Sequence, residues 1–140
     1  MKYILDASVA LKWVFQEQDS DKAQQIRTEF QQGLHELLAP EIFPIEIAHV
    51  LSKACRTNQI TPQRAEADLA SIYSDLPQLF PSIPLLPRAF EISLQSRTGI
   101  YDCLYLALSE REQCELLTAD MKLINSLQKK FPLLVSLSSI

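Results

Sequence analysis

Histidine and cysteine are scarce in this chain, and the few that occur are poorly placed for chemistry. The three cysteines, Cys55, Cys103 and Cys114, are odd in number and form no CxxC pair, which argues against both a disulfide framework and a thiolate zinc site. Small, buried apolar roles suit them best. The two histidines, His35 and His49, are too few and too isolated for a His-rich metal site or a Ser/His/Asp triad. Any metal held here is bound through oxygen. Long apolar runs are missing as well: none approaches the roughly 18 residues a membrane span needs, and the opening MKYILDAS has no apolar run before a small-residue cleavage site. A cytoplasmic protein with no membrane partner is expected. Positive charge is also in short supply. Thirteen Lys plus Arg against 17 Asp plus Glu give a net charge of -4 and a pI near 5.1, unlike a protein that coats nucleic acid.

What the chain does have is apolar material for one core. With 47% hydrophobic and 21% charged residues over 140 positions, and no Gly/Ser tract, Gln tract or internal repeat, it reads as one folded domain over residues 1–140. Short β-rich runs alternate with helical stretches. Strands are predicted over 2–5, 36–39, 82–86, 114–118 and 133–137, with prolines at 40, 84, 87 and 132 punctuating their ends; Pro84 marks 82–86 as an edge. Helices are predicted over 7–14, 21–32, 41–58, 62–74, 88–97, 101–110 and 121–130. Thr61 before Pro62 reads as an N-cap, and Gly99 as a helix stop. Strands that alternate with helices need crossover connections, so the fold class is α/β: a single-domain parallel β-sheet flanked by helices on both faces. The helices at 41–58 and 62–74 form a hairpin that could project as an arm or a dimer surface.

Four acids stand out. Ligands of open parallel sheets bind beyond the carboxyl ends of the strands; Asp6 follows the first predicted strand and Asp120 the fourth, while Asp102 opens the apolar helix YDCLYLAL. Each has an ordinary reading, because Asp is a favoured helix N-cap contributing about 1 kcal/mol. Glu46 cannot be a cap. It lies inside PEIFPIEIAHVLSKA, where Phe43, Ile47, Val50 and Ala54 are expected to form an inward stripe on the same face. A carboxylate against a core is costly unless it is paired, protonated or bound to a cation, so the alternatives are an Arg or Lys partner, or a metal. Converging carboxylates about 4 Å apart repel by on the order of 4 kcal/mol per pair. A hard divalent cation such as Mg²⁺ or Mn²⁺ offsets this naturally.

These residues, in this order, resemble the PIN-domain ribonucleases, most closely the VapC-like toxins of type II toxin-antitoxin modules. The match is carried by ILDASVALKW, by Glu46 in EIAHVL, by Asp102 in YDCLYLALSE and by Asp120 in LLTADMKL, and it runs along essentially the whole chain. The resemblance implies an acidic site of Asp6, Glu46, Asp102 and Asp120 that binds one or two Mg²⁺ or Mn²⁺ ions and hydrolyses RNA, leaving 5′-phosphate and 3′-hydroxyl ends. Ser8 and Thr118 match the family's small hydroxyl positions, which orient carboxylates or water; plain hydrogen bonding at strand ends is their other reading. Where the family often has Asn three residues after the glutamate, this chain has His49. The resemblance further implies an antitoxin partner inserting near the acids, and a homodimer. Setting the four acids aside leaves 13 acids against 13 bases, and Lys12, Arg97 and Lys122, near the motifs, are candidate phosphate contacts.

Three rival readings remain. A non-catalytic PIN-like assembly module would use the acids only as caps. A phosphoacceptor receiver domain would pair adjacent acids after the first strand and place a lysine after the last, whereas Asp6 stands alone and SSI follows LLVSL. A DNA-directed flap nuclease would need substrate-threading elements for which 140 residues leave little room. Trp13 is expected in the core or in a dimer contact.

Overall fold

Five short strands, all parallel, form the spine of the molecule in the order β3-β2-β1-β4-β5. The computed structural model describes residues 1–140. The strands are β1 (Lys2–Leu5), β2 (Glu36–Pro40), β3 (Gln78–Phe80), β4 (Glu115–Thr118) and β5 (Leu134–Ser136). Between them run α1 (Ala7–Leu11), α2 (Ser20–Gln31), α3 (Phe43–Arg56), α4 (Pro62–Tyr73), α5 (Leu86–Ser96), α6 (Ile100–Glu112) and α7 (Met121–Leu127). The chain first steps outward from β1 through β2 to β3, then crosses back to β4 and β5 on the other side of β1. Right-handed crossovers that run in opposite directions cover opposite faces of a sheet, so helices flank both faces, as the alternation of elements predicts. The direction of winding reverses between β1 and β4. That is the switch point at which open parallel sheets leave a crevice.

The register shows why the centre holds. Ile4 pairs with Leu38 of β2 and Leu116 of β4, and Leu5 with Leu117; all five are sealed from solvent. Strands buried on both faces read as continuous apolar runs, which is how KYIL, ELLA and ELLT appear in the sequence. Trp13 belongs to this core and donates its indole N–H to the Ala23 carbonyl at 3.0 Å. Arg27 lies over its ring and ties α2 to α4 through Asp75 and the Ser71 carbonyl, each at 2.7 Å. Cys103 and Cys114 are buried, and all three cysteines are free.

Several expectations need correction. The predicted strand at 82–86 is instead a 3₁₀ turn, Ile83–Leu85, leading into α5. The edge strand is Gln78–Phe80, held between Pro77 and Pro81, and it pairs with β2 from Leu38 to Pro40. Three half-exposed residues are too few to show a period of two, whereas the apolar run beside Pro84 imitates a strand. Gly99 is not the residue that ends α5. Arg97 takes the left-handed conformation, φ 55°, at that helix end, and Gly99, φ −59°, instead precedes α6. The buried stripe of α3 is Phe43, Ile47, Leu51 and Ala54; Val50 is turned outward. The hairpin of α3 and α4 is packed, not projecting: Ile72 is fully buried and Leu69 packs on the core. Thr61 does cap α4, accepting from the Arg64 amide at 3.1 Å.

Because Ile4 is enclosed by β2 and β4 with no room to relax, Ile4→Ala is expected to lower unfolding free energy by about 2–5 kcal/mol, measured by urea titration.

Candidate active site

Asp6 is the first residue beyond β1, and its amide still donates to the Leu117 carbonyl of β4 at 3.0 Å. The ladder therefore aims its side chain at the switch point. Although Asp6 occupies the N-cap position of α1, its carboxylate caps nothing. Oδ2 instead accepts from the Ser8 hydroxyl and from the Thr118 hydroxyl, the latter at 2.9 Å. Those two hydroxyls are in turn fixed by the next loop: the Ala119 amide donates to Ser8 Oγ at 3.0 Å, and the Asp120 amide to Thr118 Oγ1 at 3.1 Å. The LDAS and LLTAD segments thus form one interlocked unit across β1 and β4. Burial pushes the Asp6 carboxyl above its ordinary range, against the pull of the two hydroxyls.

The other three acids come from three different elements. Asp120 caps α7, Oδ1 accepting from the amides of Lys122 and Leu123 at 3.0 and 3.2 Å. The ordinary reading thus applies to Asp120, which is exposed. Asp102 lies in the first turn of α6, behind Gly99 at the cap position, and neither of its oxygens takes a hydrogen bond from the protein. Glu46, in the first turn of α3, has no Arg or Lys partner. Its Oε1 accepts from the Tyr105 hydroxyl at 2.7 Å.

Electrostatics show that the four form one group. Burial is the main reason Glu46 rises to about 7; the Tyr105 bond opposes this, and the charges of Asp6 and Asp102 add to it. Asp102 rises to about 6, through burial and then through Asp6 and Asp120. Asp120 also acts on Asp6. None of the four makes an ion pair, although eight other acids do. An oxygen-only set of carboxylates with no basic counter-charge fits a hard cation. No three of these side chains are yet drawn close enough to hold an ion; one oxygen each of Glu46, Asp6 and Asp120 is turned toward protein donors.

Clefts open from the group in three directions. One of about 380 Å³ is lined by Asp102 and Asp120 with Arg97 and Lys122. A second, of about 440 Å³, starts at Ser8 and Ala119 and carries Lys12 and Lys53 on an apolar floor. The third, of about 470 Å³, lies beside Glu46 and is apolar, with Ile42, Ile45, Val50 and Tyr101 around His49. Seven of the 13 Lys and Arg are engaged in ion pairs. Three of the six that are not, Lys53, Arg97 and Lys122, line the first two clefts. Lys12 is partly neutralised by Glu17 at 3.5 Å.

The PIN domain family matches residues 3–126. This chain belongs to it. Among curated PIN relatives, Ribonuclease VapC1 of Mycobacterium tuberculosis is 34% identical over 88 residues, covering 61% of this chain and 63% of that protein. The match therefore spans just under two thirds of that relative's length. Ribonuclease VapC3 of Pyrobaculum aerophilum is 28% identical over 142 residues, 97% of this chain and 99% of that one. Two solved structures share the fold: PAE2754 from Pyrobaculum aerophilum, TM-score 0.73, 19% identity, covering 99% of this chain and 85% of that chain; and VapBC2 from Rickettsia felis bound to a DNA fragment from their promoter, TM-score 0.68, 16% identity, covering 97% of each. The PIN sheet order explains why acids from both ends of the sequence meet.

Tyr105 is a site residue that the sequence pattern hides. It sits three positions after Asp102 in YDCLYLAL, where an aromatic reads as core. A buried phenol needs a partner, and that is the only signal the sequence offers.

Glu46 and Asp102 hold protons more tightly folded than unfolded, so the folded state binds more protons and stability falls as pH rises through the interval between the unfolded and folded values. In metal-free protein the melting temperature is expected to drop as pH climbs from about 4.5 to about 7. Glu46→Gln should flatten that decline, as read by thermal melts across the interval.

Proposed function

We propose that this PIN domain is a divalent-cation-dependent endoribonuclease acting as the toxin of a type II toxin-antitoxin module. One observation carries the reading: four carboxylates without counter-charge gathered at the sheet's switch point, with unpaired cations in the adjoining clefts. The ribonuclease names of its relatives support it.

Asp6, Glu46, Asp102 and Asp120 would hold Mg²⁺ or Mn²⁺. When bound, such an ion lowers the pKa of its water and stabilises charge on the departing oxygen of a phosphodiester. The chain's own residues do the positioning. Ser8 and Thr118 fix the Asp6 carboxylate from beneath. Asp120 is anchored by two α7 amides on one oxygen, which leaves the other for a ligand. Arg97 and Lys122 in one cleft, and Lys53 with Lys12 in another, would hold the phosphates flanking the scissile one. Such a sparse basic rim suits selection of a structured RNA over general affinity, since each phosphate contact adds to salt-dependent, sequence-independent binding.

For partners, the apolar cleft beside Glu46 offers an antitoxin segment a seat next to the acids. The exposed Phe90 and Leu94 of α5, with Ile83 before it, supply apolar area for a homodimer. The rival reading, a non-catalytic assembly module whose acids serve as caps, is favoured by Asp120 alone.

The test is incubation of total cellular RNA with purified protein in Mn²⁺, Mg²⁺ or EDTA, beside Asp6→Asn. Discrete fragments with 5′-phosphates that require metal and disappear in the variant are expected. Intact RNA in every lane, with no Mn²⁺ binding by calorimetry, would return the chain to the assembly reading. Replacing Arg97 and Lys122 together by Ala should weaken RNA binding and make its log–log salt dependence shallower by about 0.7 for each phosphate that is no longer neutralised, as followed by filter binding from low to moderate salt.

A further inference from the structure

Tyr105 is one of the largest side chains in the core, only 1% exposed, and its hydroxyl reaches Glu46 Oε1 at 2.7 Å. It is carried by α6, one turn beyond Asp102, whereas Glu46 belongs to α3. This contact joins the two helices that bring the two half-buried acids, and it does so through one oxygen of one carboxylate. In this contact the phenol hydroxyl is the donor and the carboxylate oxygen the acceptor. A glutamate has three rotatable bonds, and an unanchored one would have to be ordered each time it bound a ligand. Donation by Tyr105 occupies Oε1 and leaves Oε2 without a protein donor.

We propose that Tyr105 is a positioning residue that sets the rotamer of Glu46 and thereby the affinity of the acidic group for a divalent cation. The inference rests on the cation-binding reading above. Hydrogen bonds of this kind, from a neighbouring side chain to a metal-binding carboxylate, alter metal affinity on the order of 10- to 100-fold when removed.

Tyr73 supplies the control. Its hydroxyl donates to the Pro44 carbonyl at 2.6 Å, so it too anchors the start of α3 through a phenol, two residues from Glu46, without touching a carboxylate. Tyr105→Phe and Tyr73→Phe each delete one oxygen and keep the ring. Calorimetric titration of the two variants and the wild type with Mn²⁺, together with thermal melts and metal-dependent cleavage, separates the roles. The expected result is that Tyr105→Phe raises the Mn²⁺ dissociation constant by on the order of 10-fold, with kcat recovering at saturating Mn²⁺, while Tyr73→Phe lowers the melting temperature but binds Mn²⁺ as the wild type does. Three outcomes overturn the proposal: unchanged Mn²⁺ affinity in Tyr105→Phe, an equal loss in both variants, or a Tyr105→Phe protein too unstable to stay folded, which would make the hydroxyl a structural group. If the wild type itself binds no Mn²⁺, the cation reading fails first and takes this inference with it.

Discussion

Mutual repulsion among Asp6, Glu46, Asp102 and Asp120 is the constraint around which the rest of this structure is arranged. Each is delivered by a different element, and the rigid central strands leave Asp6 no way to withdraw. No lysine or arginine is brought in to neutralise them. Burial and the neighbouring charges push Glu46 up to about 7 and Asp102 to about 6, and neutral donors hold three of the four in place: hydroxyls at Asp6, amides at Asp120, a phenol at Glu46. Neutral donors orient a carboxylate without cancelling its charge, an arrangement that fits a hard cation. A design for stability alone would have used ion pairs or apolar side chains at these positions.

The fold supplies the meeting point. Reversal of winding between β1 and β4 opens the crevice that parallel sheets offer at their carboxyl edge, and the pairing of Leu5 with Leu117 brings Asp6 beside Thr118. Packed against β1, β2 and β4, α6 carries Asp102, and its Tyr105 ties Glu46 of α3 to the same group. Acidic overall composition does not conflict with a polyanionic substrate once charge is considered locally. Lys53, Arg97 and Lys122 lie unpaired in the clefts, while most of the other bases are engaged in surface ion pairs of modest worth.

Several features were legible from the linear chain because they depend on neighbours in sequence. Alternating strands and helices, the Thr61 cap before Pro62, and the apolar centre of β1, β2 and β4 all follow from local periodicity and turn chemistry. The short edge strand 78–80 was not, since three residues carry no period and the true strand was outcompeted by an apolar turn next door. Nor was the orientation of Val50, because a helix face is set by what packs on it and residues 50 and 51 differ by only one step of the 3.6-residue period.

By itself, then, the sequence determined the α/β class, the scarcity of soft metal ligands, and a set of acids at helix starts and strand ends, because each of these is a property of residue type and short-range spacing. Tertiary structure alone decided which acids serve as caps and which do not, that the Glu46 partner is a phenol and not a base, and that the unpaired cations border the acids. Those outcomes depend on contacts between residues as far apart as Asp6 and Thr118, or Glu46 and Tyr105, and such contacts exist only once crossover handedness and strand order have brought distant segments to one edge of the sheet.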